Sequence, residues 1–250
     1  KKGKYRLEWK RKWVEMIHAH VGVGKNTKVA MENKEEKPIS QYIEHTLLKA
    51  DATKADIEKL CEEAIENDFA GVCVPPYYVK AASAALLEKK PKVITVVGFP
   101  LGYNLIAAKV EESRKAIEEG ADEIDMVMNV AAFKSGDFSH VKDGIESVAT
   151  FCRLKAKPLK VIIETGYLSK EEIVKACEIC AEVEVDYVKT STGYNGGATV
   201  EDIQLMRENL PAKIKLKASG GIRDRKFAEA LIKAGADRLG TSAGIQIIKS

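Results

Sequence analysis

From residue 38 onward, short runs of apolar and β-branched residues alternate with longer stretches whose apolar positions recur every three or four residues. The runs fall at 42–47, 71–74, 93–98, 123–129, 161–165, 187–192, 214–218 and 238–241. Their length and composition predict strands, and the stretches between them predict amphipathic helices. Start signals support the helices. Thr53-x-x-Asp56, Ser169-x-x-Glu172 and Thr199-x-x-Asp202 read as capping boxes or close variants, in which the hydroxyl accepts from an orphan N–H and the acid reaches back. Gly120-Ala-Asp122 and Gly235-Ala-Asp237 read as helix stops leading straight into strands. Eight strands, each one βα unit from the next, predict parallel crossovers and an α/β fold: a single (βα)8 TIM barrel over 38–250. A doubly wound open sheet is the alternative, but no G-x-G-x-x-G follows the first strand.

Residues 1–37 follow a different pattern. Tyr5, Trp9, Trp13 and Ile17 recur at helical spacing among Lys4, Arg6, Lys10, Arg11 and Lys12, which predicts a basic amphipathic N-terminal helix, and 22–37 read as a polar linker. Such a helix covers one end of a domain or a subunit contact more often than it lies on a membrane.

Charge and cysteine content narrow the function classes. The net charge is +3 over 250 residues, and the first 37 hold eleven Lys/Arg against five Asp/Glu. The remainder is slightly acidic, so no basic stripe is left for nucleic acid. Five scattered cysteines give no disulfide framework, and Cys177-x-x-Cys180 lies within a helical pattern, where it reads as a pair of buried thiols. A reducing cytoplasm is expected. No apolar run approaches the ~18 residues of a membrane span, and no signal peptide is visible. The four histidines are dispersed, so no metal site is expected.

Candidate chemistry lies in polar residues inside otherwise apolar strands. Strand parity puts Ile214 and Leu216 on the helix-facing side and turns Lys215 and Lys217 into the barrel. By the same alternation Lys189 opposes Val188 and Thr190, and Asp125 opposes Ile124 and Met126. A lysine nucleophile must be neutral; moving its pKa from ~10.4 to about 7 costs on the order of 4–5 kcal/mol. A second ammonium ~5 Å away contributes roughly 3 kcal/mol at an effective dielectric of ~20, and desolvation can supply the rest. The pair therefore fits Schiff-base chemistry with Asp125 as a proton carrier; the competing reading is a structural Lys–Asp pair. Gly220-Gly221 and Gly240-Thr241-Ser242-Ala243-Gly244 follow the last two strands, where barrels commonly bind phosphate.

These motifs taken together resemble the 2-deoxyribose-5-phosphate aldolase family. The resemblance spans about 38–249 and rests on Glu44-His-Thr-Leu-Leu48, Gly71-Val-Cys-Val74, Val96-Val-Gly-Phe-Pro-Leu-Gly102, Ala121-Asp-Glu-Ile-Asp-Met-Val127, Val188-Lys-Thr-Ser-Thr-Gly193, Lys217-Ala-Ser-Gly-Gly-Ile-Arg223 and Gly240-Thr-Ser-Ala-Gly244. It implies Lys189 as the Schiff-base lysine, Lys217 as the lysine that depresses its pKa, and Asp125 as the acid of the proton relay. It also implies substrate contacts from Glu44 (often Asp in the family), Cys73, Thr190, Gly193, Gly220, Gly221, Thr241 and Ser242. The implied reaction is reversible cleavage of 2-deoxy-D-ribose 5-phosphate to D-glyceraldehyde 3-phosphate and acetaldehyde, with no metal or organic cofactor, in a cytoplasmic homo-oligomer, a dimer or tetramer. Another class I barrel aldolase, a transaldolase or a non-catalytic phosphosugar-binding barrel are the alternatives.

Overall fold

A computed structural model describes residues 37–250; the expected helix and linker lie outside the described residues apart from Lys37. Eight parallel strands close into a barrel in chain order. They are β1 (Ile43–Thr46), β2 (Gly71–Val74), β3 (Lys92–Val97), β4 (Glu123–Val127), β5 (Leu159–Ile162), β6 (Tyr187–Lys189), β7 (Lys215–Ser219) and β8 (Arg238–Thr241). The barrel closes where β1 pairs with β8, Glu44 opposite Gly240. The helices between them are α1 (Lys54–Glu66), α2 (Val79–Ala85), α3 (Ile106–Glu118), α4 (Val130–Lys134), α5 (Phe138–Leu154), α6 (Lys170–Val183), α7 (Val200–Asn209) and α8 (Arg225–Ala234), with α9 (Gly244–Lys249) after β8. The doubly wound alternative is thereby excluded.

The local signals act as their chemistry requires. Thr53 and Ser169 form reciprocal capping boxes with Asp56 and Glu172, whereas Thr199 accepts from the Asp202 N–H without the return bond. Gly235 ends α8 at φ +120°, a conformation glycine adopts without strain. The acid two residues later has a structural task. Asp122 and Asp237 accept the backbone N–H of Val93 and Leu216, and Asp186 does the same for Leu159. Each carboxylate satisfies a donor at the base of the neighbouring strand.

The main core lies between sheet and helices and includes Ile124, Met126, Val188, Leu216 and Ala218. Cys177 and Cys180 sit fully buried on α6 as free thiols, burial pushing Cys177 up to about 12, which makes them packing residues. The barrel interior is unevenly divided. Cys73, Ile94 and Val96 form a small apolar cluster on the β2–β3 side. The opposite side, from β4 round to β1, is filled with charge.

Candidate active site

The alternation of β4, β6 and β7 brings Asp125, Lys189 and Lys217 to one point. The Lys189 Nζ donates to Asp125 Oδ2 at 2.8 Å, and the Lys217 Nζ donates to the same oxygen at 2.6 Å. Lys217 also pairs with Glu44 on β1. To reach it, the Lys217 stem crosses β8 at Gly240, where a Cβ would stand 3.1 Å from its Cε. All four ionisable side chains are at most 4% exposed.

A fifth group, not predicted from sequence, completes the centre. The Lys160 Nζ on β5 donates to Asp125 Oδ1 at 3.1 Å, lies 3.6 Å from Glu44 Oε1 and pairs with Glu123. Its β-branched neighbours signalled a strand, but the predicted run began one residue too late, at 161. Lys215 departs in the other direction. It has the parity of Lys217, but as the first residue of β7 it is exposed, its amine 5.4 Å from the Tyr187 ring centre.

These contacts divide the three lysines. Burial would lower the pKa of Lys217, but Asp125 and Glu44 outweigh it and hold the ammonium above its ordinary range. Burial is likewise overcome at Lys160, by Asp125, Glu44 and Glu123, which raise it well above. At Lys189 burial prevails over Asp125, Lys217 adds its repulsion, and the amine falls below its usual value. Asp125 is held well below the carboxylate range because Lys160, Lys189 and Lys217 together outweigh its burial. Glu44 is lowered by Lys160 and Lys217 against its own burial. Charge counting gives the same result. The cations Lys160, Lys217 and Arg238 balance the carboxylates Glu44, Glu123 and Asp125, with Lys160 on Glu123 and Arg238 3.8 Å from Glu44. A proton on Lys189 is the one unmatched charge, and unmatched buried charge is costly.

Above this centre, at the C-terminal ends of the strands, is a cavity of about 340 Å3. Lys189 lines it, with Gly193, Gly220, Gly221, Thr241 and Ser242 from the predicted set and Lys49, Tyr194 and Arg223 besides. Its glycines allow close backbone approach: a Cβ on Gly220, at φ +87°, would lie 2.8 Å from Gly197 Cα. Glu44, Asp125 and Lys217 lie outside its lining, fully buried. Thr190 is also outside it. Its hydroxyl donates to the Ser219 carbonyl and accepts from the Ser219 N–H, so it ties β6 to β7. The Thr241 hydroxyl donates to the Ile222 carbonyl. Cys73 is fully buried in the apolar half of the interior, and burial pushes its thiol up to about 11. A further residue unforeseen from sequence, Glu164, takes a left-handed φ of 57° and accepts the Thr192 N–H at 3.1 Å, fixing the loop after β6. Burial raises its carboxyl. Among the described residues no group of three or more His, Cys, Asp or Glu could hold a metal ion.

A buried amine depressed by its surroundings, on a carboxylate, beneath a glycine-lined cavity is suited to imine formation with a phosphorylated carbonyl compound. Comparison with known proteins points the same way. The profile of the DeoC/LacD family aldolases matches residues 37–250. A deoxyribose-phosphate aldolase of Thermococcus gammatolerans is 53% identical over 214 residues, covering 84% of this chain and 95% of that protein. Among solved structures, an aldolase designated QR15 superposes with a TM-score of 0.80 at 43% identity, covering 84% of this chain and 94% of its own. The tetrameric deoxyribose phosphate aldolase of Aeropyrum pernix gives 0.80 at 28% identity, covering 85% and 90%. With the profile matched across all the described residues and more than half of the aligned positions shared with the Thermococcus enzyme, this chain belongs to the DeoC/LacD aldolase family.

Proposed function

We propose that the chain is a class I aldolase that reversibly cleaves 2-deoxy-D-ribose 5-phosphate to D-glyceraldehyde 3-phosphate and acetaldehyde, with Lys189 as the Schiff-base lysine. The observation that carries this reading is the depressed, cavity-facing amine of Lys189 on the carboxylate that also holds Lys217. The neutral amine attacks the open-chain C1 aldehyde. Asp125, through a water, carries the proton from the attacking nitrogen to the oxygen to give the neutral carbinolamine, and a further proton relayed from solvent lets that oxygen leave as water and gives the protonated imine. The same water, backed by Asp125, takes the C3 hydroxyl proton as the C2–C3 bond breaks, and later gives it to C2. The bond's electron pair moves into the imine as an enamine, and D-glyceraldehyde 3-phosphate departs. Protonation at C2 and hydrolysis release acetaldehyde and restore Lys189.

Lys217 acts in this scheme as a fixed positive charge, and the loops at Gly193, Gly220, Gly221 and Ser242 receive the phosphate. Five free, buried cysteines suit a reducing cytoplasm, and the tetrameric Aeropyrum pernix relative supports a homo-oligomer. The test is covalent. Incubation with 2-deoxyribose 5-phosphate, borohydride reduction and peptide mass spectrometry should find the adduct on Lys189, absent from Lys189→Ala. An adduct on Lys217 alone would reverse the two lysines; no adduct, with the phosphosugar still bound, would leave a binding barrel.

A further inference from the structure

We propose that Lys49, in the loop between β1 and α1, is a specificity-determining residue that supplies a side-chain cation to the substrate's phosphate, and that the Tyr194 hydroxyl holds it in place. The inference rests on the aldolase reading, because that reading brings a phosphomonoester dianion into the cavity.

The glycine backbone and the Ser242 hydroxyl offer that dianion only neutral donors. Three basic side chains line the cavity, Lys49, Lys189 and Arg223. Lys189 is committed to the imine, which leaves Lys49 on the wall built by the loop after β1 and Arg223 on the wall built by the loop after β7. Both are exposed, and among the described residues neither the Lys49 ammonium nor the Arg223 guanidinium makes a hydrogen bond or ion pair, although Asp56 feels the Lys49 charge at longer range as the smallest of the pulls on its carboxyl. An unpaired ammonium is available to a dianion without first breaking another contact.

The backbone that carries Lys49 is fixed at every step. The Leu47 N–H donates to the Cys73 carbonyl at 3.0 Å, and the Ala52 N–H donates to the Lys49 carbonyl at 3.2 Å. The Tyr78 hydroxyl donates to the Ala52 carbonyl at 2.7 Å, and Thr53 caps α1. Between these anchors the Tyr194 hydroxyl, from the loop after β6, donates to the Leu48 carbonyl at 3.2 Å. The Tyr194 ring meets Phe99 edge-on, with centroids 5.5 Å apart, so its own direction is set by the loop after β3. Tyr194 thus joins three loops around the mouth, and its bond lands on the residue directly before Lys49. The ordering entropy of the Lys49 backbone is spent in folding rather than in binding.

The experiment compares wild type, Lys49→Met, Lys49→Arg and Tyr194→Phe. Their kcat/KM is measured on 2-deoxyribose 5-phosphate and on 2-deoxyribose, with the affinity for inorganic phosphate measured by calorimetry. For Lys49→Met the ratio of the two kcat/KM values falls by roughly tenfold or more, as expected for a lost charge-assisted contact. The loss appears in KM rather than kcat, and phosphate binding weakens in step. Lys49→Arg recovers most of the ratio. Tyr194→Phe loses part of it, and combining it with Lys49→Met adds little. An unchanged ratio and phosphate affinity in Lys49→Met, or equal losses on both sugars, overturns the proposal. Calorimetry needs no turnover, so phosphate binding that still weakens in Lys49→Met while wild type cleaves neither sugar would uphold the cation site and overturn the aldolase reading alone.

Discussion

Replacing Lys217 by Met removes the charge beside the Lys189 amine, the nucleophile of the proposed reaction, and leaves a stem of similar length. Lys189 and Lys217 share one oxygen of Asp125 at 2.8 and 2.6 Å, so their nitrogens are no more than ~5.4 Å apart. At that separation and an effective dielectric of ~20 the repulsion is roughly 3 kcal/mol, about 2 pH units. Without Lys217, Asp125 also turns its full attraction on Lys189, in the same direction. The Lys189 pKa therefore rises, and the acid limb of kcat/KM for 2-deoxyribose 5-phosphate moves alkaline by about 2 units. At neutral pH the rate falls on the order of 100-fold and recovers about tenfold per pH unit as the medium is made more basic. Lys217→Arg keeps the charge and shifts the limb less. Removing one partner of a buried ion pair costs ~3–5 kcal/mol, so thermal melting is followed on the same samples. An acid limb that stays within about half a unit of wild type, or a loss that is uniform across pH, would refute the argument and leave burial alone to depress Lys189.

Two further outcomes follow from the same charges. Lys160→Met strands Asp125 Oδ1 and part of Glu44, and its melting transition should report a loss of ~3–5 kcal/mol; a variant as stable as wild type would contradict the pairing described. Asp125 and Glu44 both titrate lower in the folded protein than in the unfolded chain. Their stabilisation is complete above the ordinary carboxylate pKa of ~4 and is lost as pH falls through their lower folded values. Melting temperature should therefore drop steeply below about pH 4, and in Lys160→Met, where Asp125 is less depressed, the drop should be smaller and should level off at higher pH. Identical acid profiles for the two proteins would show that Lys160 does not hold Asp125 ionised.

Much of this architecture is legible in the order of residues. The period-2 alternation of β4, β6 and β7 is local, and it turns Asp125, Lys189 and Lys217 to one side before any packing is known. What alternation cannot supply is height within the barrel, which depends on how each strand staggers against its neighbours. Lys215 and Lys217 share a parity, yet one is exposed at the base and the other is completely buried. Lys160 escaped notice because a charged residue at the start of a run looks like a boundary until β4 is seen beside it, with Lys160 opposite Asp125. Glu164 was hidden for the opposite reason. The run 161–165 continued the strand pattern past Ile162, where the sheet ends and the chain enters a left-handed turn. Thr190 sits within the motif but bonds Ser219 on the neighbouring strand, a partnership fixed by register and not by neighbours in sequence.

Gly240 carries no charge and offers no side chain, yet the Lys217 stem passes through the space it leaves open on its way to Glu44. One methyl group added to β8 would press on that stem and draw the ammonium away from its two carboxylates. The basicity of Lys189 therefore has a mechanical adjustment as well as an electrical one, located on a strand without an ionisable residue at that level. Bulk at this single position sets basicity at the Lys189 amine while every charged side chain of the centre stays the same.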